Sequence, residues 1–95
     1  MKTISLESRV QRNDSNLIIS ELDDDLVMMD IENGSYLSFN KTGRIIWEQI
    51  ERPILVSDLI QLFMKRFSVN EDICTKETLD FLKKIAEQKA LTILL

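Results

Sequence analysis

Ninety-five residues with 44% apolar and 29% charged side chains fit one soluble globular domain, 1–95, with a modest core. A net charge of −4 opposes binding nucleic acid through a general positive field, and no apolar run approaches the ~18 residues of a membrane helix. The chain has no histidine and one cysteine, Cys74, which excludes an internal disulfide and a Cys-His nucleophile and removes the commonest general base and metal ligand.

The N-terminal arm, 1–15, carries a lysine but no apolar h-region, so no signal peptide is expected, and the single cysteine fits a reducing cytoplasm. Ile4, Leu6 and Val10 alternate weakly with Thr3, Ser5 and Glu7, the pattern of a short strand or arm. Asn13 to Asn16 form a turn cluster, and Leu17-Ile18-Ile19 a short strand ending near Glu21. Asp23 to Asp25 suit a solvated hairpin turn; a calcium loop needs spaced carboxylates, a glycine and a closing glutamate.

Leu26 to Ile31 is apolar on both faces, as a central strand should be. Asn33-Gly34 signals a hairpin, with a type I′ turn that requires positive φ at both residues. The return strand is Ser35-Tyr36-Leu37-Ser38-Phe39, with Leu37 and Phe39 toward the core. The strands thus span about 17–39.

Asn40 is placed to cap a first helix over about 41–50, whose stripe of Ile45, Ile46, Trp47 and Ile50 docks on the core. Gly43, in its first turn, costs helix stability and permits close approach to the hairpin. Pro53 ends this helix. A second helix over about 56–67 follows, with Leu59, Ile60, Phe63, Met64 and Phe67 at helical spacing. A third covers about 70–89 and has a wide apolar arc centred on Leu82. Cys74, Phe81 and Ile85 lie toward one border of that arc, and Leu79, Ala86 and Ala90 toward the other. One border is therefore free for the sheet or for a groove. The closing LTILL forms a last strand or packs as a tail. Strands followed by three helices make an α+β fold.

Two functions compete. Helices two and three with the hairpin as wing make a winged helix-turn-helix candidate for binding DNA. However, the outer face of helix three mixes Lys76, Lys83 and Lys84 with Glu77, Asp80 and Glu87, the pattern of a solvated helix and not of a base reader. The other function is peptide capture by strand addition. Ser35 to Phe39 holds neither charge nor proline, so as a sheet edge it lacks the usual protection against pairing. Composition and periodicity leave open whether the N-terminal arm or LTILL covers that edge. No catalytic residue, metal ligand or cofactor site is expected, and no enzymatic activity.

The stretch from Leu26 to Val69 resembles the PqqD-like family, also called RiPP recognition elements, and in particular the small stand-alone proteins of lasso-peptide biosynthesis. The matching features are the Val27-Met28-Met29-Asp30 strand, Gly34 and Tyr36 in the hairpin, Asn40 opening the helix, and Gly43. Further along come Ile46-Trp47-Glu48, Pro53, and Phe67-Ser68-Val69 before helix three. Leu55 departs from the pattern, standing where a serine or threonine cap is expected for helix two. The resemblance implies a winged-helix-like, three-stranded antiparallel sheet with three helices. It implies a non-catalytic adaptor that binds the leader of a ribosomally made precursor on the edge strand 35–39, in a groove against helix three. The residues so implied are Ser35, Tyr36, Leu37, Ser38 and Phe39, with Leu79, Phe81 and Ile85 from helix three. The implied partners are the leader, a separate cysteine leader peptidase and the cyclase. Within the same family, a chaperone for a radical enzyme, as in pyrroloquinoline quinone synthesis, is the alternative.

Overall fold

A computed structural model describes residues 4–15, 17–23 and 25–94. Met1 to Thr3, Asn16, Asp24 and Leu95, which belong to the expected arm, turn cluster, aspartate triplet and tail, lie outside the described residues. In chain order the elements are β1 (Arg9–Arg12), β2 (Leu17–Leu22), β3 (Asp25–Asp30), β4 (Tyr36–Phe39), α1 (Lys41–Gln49), β5 (Ile54–Leu55), α2 (Val56–Phe67), α3 (Glu71–Glu87) and β6 (Leu91–Leu94). This is an α+β architecture with antiparallel sheets and three helices.

There are two sheets where the sequence reading expects one. The order β2-β3-β4 is the expected antiparallel sheet; the other is β5-β1-β6. Arg9 to Arg12 pair with Leu94 to Leu91 on one side, and Arg9 and Val10 with Leu55 and Ile54 on the other. Fully buried Val10 anchors this second sheet in the core. The arm also explains Leu55. This residue gives α2 no side-chain cap; instead the first free N–H groups of the helix, at Val56 and Ser57, donate to the carbonyls of Ser8 (2.9 Å) and Leu6 (3.0 Å). Unpaired helix-start donors are costly, and here the arm's backbone satisfies two of them. Arg12 fastens the arm to α1: its guanidinium lies 5.2 Å over the Trp47 ring and donates to the Trp47 carbonyl at 3.3 Å.

The core lies between the inner face of β3 and the three helices. It takes Leu26 and Met28 from β3, Ile45, Ile46, Trp47 and Ile50 from the α1 region, Leu59, Ile60 and Phe63 from α2, and Cys74, Leu82 and Ile85 from α3. The buried stripe of α3 runs Cys74, Thr78, Leu82, Ile85, at helical spacing. Asn70 caps α3, accepting from the N–H of Asp72 (2.8 Å) and Ile73 (3.3 Å).

The β3–β4 turn differs from the expected type I′ pair. Met29 opposes Tyr36, the Asp30 N–H donates to the Ser35 carbonyl, and four residues, Ile31 to Gly34, form the loop. Only Gly34 has positive φ there, at 70°. The cause is Asp30, whose carboxylate accepts from the N–H of Glu32 and Asn33 and from the Asn33 amide at 2.9 Å. These bonds hold Asn33 in a side-chain-closed turn and leave the left-handed position to glycine alone. The tight reversal is the other one: Leu22 pairs with Asp25, and Asp23 has φ 55°.

Two predictions follow from these contacts. A Cβ on Gly43 would lie 2.7 Å from the Cβ of Phe39 and 2.9 Å from Cε1 of Phe81. Because the Phe39 Cβ is fixed by its strand, Gly43→Ala forces α1 away from β4. Overpacking of about 1–3 kcal/mol outweighs the ~1 kcal/mol or less regained in helix propensity, and urea denaturation should show a lower midpoint. The Asn33 amide, then the Asn33 and Glu32 N–H groups, hold the Asp30 carboxyl below the ordinary aspartate value, against partial burial. Its stabilising effect is therefore full above about pH 4, the unfolded value, and is lost as pH falls through the lower folded value. The melting-temperature gap between the parent and Asp30→Ala should be largest near neutrality and narrow in acid.

Candidate functional site

Among the described residues, neither arm nor tail covers β4. Both are taken up by the β5-β1-β6 sheet, and among the described residues β4 pairs with β3 and with no other strand. Hydrogen bonding alternates along an antiparallel pair. Since Asp30 and Ser35 are a bonded pair, Leu37 and Phe39 also bond toward β3, while the N–H and C=O groups of Tyr36 and Ser38 point to the open side.

Opposite that edge runs α3. Between them is a groove of about 320 Å³. The strand contributes Leu37, Ser38, Phe39 and Asn40; α3 contributes Glu77, Phe81 and Lys84. Thr42, Gly43 and Ile46 of α1 make the floor. Asn40 sets the angle at which the strand turns into this floor, its side chain accepting from the Gly43 N–H at 3.2 Å. The rings of Phe39 and Phe81 meet edge to face with centroids 5.0 Å apart, an arrangement favoured by the aromatic quadrupole. Gly43 is what lets both rings close on the α1 backbone. At the other end the Ser35 hydroxyl donates to Gln88 Oε1 at 3.0 Å, tying the start of β4 to the end of α3.

The groove runs on into a second hollow of about 330 Å³ that shares Thr42, Ile46 and Glu77 with it. Its walls are apolar: Phe63 and Phe67 of α2, Val69 of the connection, and Ile73 of α3, the last three exposed. The whole cleft thus has an apolar end at the start of α3 and an open strand edge at the other. Glu77 and Lys84 place opposite charges along one wall.

The expected site residues divide. Ser35 to Phe39 lie together on and beside the edge: Tyr36 projects into solvent, Leu37 is half-buried, and the Phe39 ring is buried as the groove's inner wall. Phe81 lines the groove. Ile85 does not; it is fully buried, packed under the helices, and has no surface to offer a peptide. Leu79 is half-buried against the core and outside the groove lining. The groove face of α3 is Glu77, Phe81, Lys84 and Gln88. Their spacing of four, three and four marks one helical stripe, so the signal was present in the sequence, hidden by assigning Glu77 and Lys84 to the solvated face.

Among the described residues no cluster of three or more Asp, Glu or Cys could hold a metal ion, and Cys74 is buried. Also among them, no helix is long and apolar enough to cross a membrane.

The sequence profile of the family described as Coenzyme PQQ synthesis protein D (PqqD) matches residues 25–91, most of the chain and all of the groove. The chain belongs to the PqqD family. Among solved structures the PqqD-like fold is similar to that of "TbiB1 in Complex with the TbiA(beta) Leader Peptide", with a TM-score of 0.72 and 20% sequence identity, covering 85% of this chain and 93% of that one. No curated protein matches. The profile begins at β3 and leaves out β1 and β2, so the strand that fastens the arm lies outside the part matched to the PqqD family.

Proposed function

We propose that this PqqD-family chain is a non-catalytic adaptor that binds the leader of a ribosomally made precursor peptide, in the cytoplasm. The leader adds as a strand to β4, bonding to the free N–H and C=O groups of Tyr36 and Ser38, and lays alternate side chains into the groove beside Phe81. The observation that carries this reading is the uncovered edge of β4 facing a groove on α3. Such an edge supplies affinity through the main chain and specificity through pockets for every second side chain. The apolar hollow beyond Thr42 suits a large leader side chain. The structural neighbour, described with a leader peptide bound, supports the reading. Absence of histidine supports an adaptor over an enzyme. The bound leader is presented to a separate cysteine leader peptidase and to a cyclase. Membership of the PqqD family favours, as second reading, presentation to a radical enzyme; the edge and groove serve either.

A matching leader should bind with nanomolar to micromolar Kd, about −8 to −12 kcal/mol, in a calorimetric titration. Amide shifts on adding leader should cluster at 35–39 and along Glu77, Phe81 and Lys84. Shifts confined to the α2–α3 turn and to Lys83 on adding DNA would point to the winged-helix regulator instead.

Ser38→Pro removes an N–H that faces the open edge and should weaken leader binding at least tenfold while the protein stays folded. Unchanged affinity in that folded variant would rule out strand addition here. Leu37→Pro, by contrast, breaks the pairing with Met28 and should unfold the hairpin. Phe81→Ala opens the groove wall and should also raise the leader Kd, with a modest loss of melting temperature because the ring is only half-buried.

A further inference from the structure

The α3 wall of the groove carries two unpaired charges in a fixed order. Glu77 and Lys84 both line the groove and both are exposed. Among the described residues neither makes an ion pair, whereas Arg44 nearby on α1 is held by Glu21 and Glu48. The two are seven residues apart, which is two turns and about 10 Å along one face of the helix, with Phe81 between them.

Their order relative to the edge is set by how α3 lies on β4. Gln88 meets the start of the strand at the Ser35 hydroxyl, and Phe81 meets its end at the Phe39 ring. The helix therefore runs antiparallel to β4. Lys84 stands level with the middle of the strand, and Glu77 lies past its end, toward Asn40 and Thr42. The remaining charges do not blur this order. Lys41 lines the apolar hollow and not the groove. Lys76, Asp80, Lys83 and Glu87 are exposed on α3 outside the groove lining. Beyond Gln88, Glu32 and Lys89 share a small hollow with Asp30, whose carboxylate is taken up by its own turn, so that end has no preferred sign.

We infer that Glu77 and Lys84 select the leader by the order of its charges: a lysine or arginine, then an apolar residue, then an aspartate or glutamate, at alternate positions of the added strand. The inference rests on the leader-adaptor reading and deepens it. Strands β2, β3 and β4 pair antiparallel, and antiparallel pairing is the more stable kind. A leader added in that sense runs in the same direction as α3, passing Glu77 first, Phe81 next and Lys84 last. Side chains facing the groove recur every second residue, so three successive ones span ~13 Å, close enough to the ~10 Å between the two charges for long, flexible ends to meet both. The main-chain edge pairs in either direction and supplies affinity without reading polarity. The two charges supply what it lacks, since a leader with the reverse order sets a carboxylate against Glu77 and a cation against Lys84.

A displayed library of random peptides serves as the probe. It is selected against the parent, against the Glu77→Lys and Lys84→Glu double variant, which keeps the net charge of −4, and against Lys83→Glu, which changes a charge outside the groove. Melting temperatures confirm that each protein is folded, and selected peptides are resynthesised and titrated by calorimetry. Peptides enriched by the parent and by Lys83→Glu should carry the basic, apolar, acidic order, and those enriched by the double variant the reverse. Exchanging the two charges in a selected peptide should weaken its binding to the parent about tenfold and strengthen its binding to the double variant by a similar factor, with both effects shrinking as salt is raised. Edge-dependent peptides without a charge order, the same order from the parent and the double variant, or an acidic-first order from the parent would each overturn the inference. Selected peptides that bind Ser38→Pro as tightly as the parent would instead refute strand addition to β4, and the adaptor reading with it, which keeps the two failures apart.

Discussion

The pairing of β1 with both β5 and β6 is the constraint on which the rest depends. One four-residue strand takes up the N-terminal arm, the segment before α2 and the C-terminal tail in a single small sheet. Its carbonyl neighbours close the uncapped start of α2, and Arg12 seats on Trp47. Among the described residues, every strand outside the β2-β3-β4 sheet is thereby engaged elsewhere. The open edge is a consequence of where the termini find their hydrogen bonds, and it persists because leaving that sheet would strand buried Val10 and the first N–H groups of α2.

With the edge free, its chemistry follows from the period of a strand. Odd and even residues of β4 divide the work: Leu37 and Phe39 turn their side chains to the core and their amides to β3, while Tyr36 and Ser38 turn side chains to solvent and amides to the open side. Phe39 then joins the edge to α3 through Phe81, and Gly43 removes the one Cβ that would hold the two apart. The groove is therefore a packing outcome of three elements, with its width set by an aromatic contact and a missing methyl group. The same alternation puts Met29 and Tyr36 outward, so one sheet presents a groove-side surface and an outer surface that a fourth strand would extend together.

Charge separates along the chain in a way that composition conceals. A net charge of −4 suggests a mildly acidic surface, yet the β2-β3-β4 segment holds no cation at all while α3 mixes both signs. The mixture on α3 fits poorly with reading bases in a DNA groove.

The sequence by itself determined the α+β class, the three helices, the antiparallel hairpins and the strand that forms the edge. These are local consequences of period, cap and turn: Asn40 and Asn70 accept from first-turn amides, Pro53 interrupts, and Leu26 to Phe39 folds back near Gly34. Only the tertiary structure decided which border of α3 faces β4, because a wide apolar arc is satisfied equally by core and by cleft; Ile85 went to the core, and Glu77, Lys84 and Gln88 came to the groove side. It decided the form of the β3–β4 turn, where the Asp30 carboxylate outcompetes the preference of Asn-Gly for a two-residue reversal. And it decided that the edge is open, since β1, β5 and β6 are far apart in sequence and their partnership leaves no local trace in the pattern of residues.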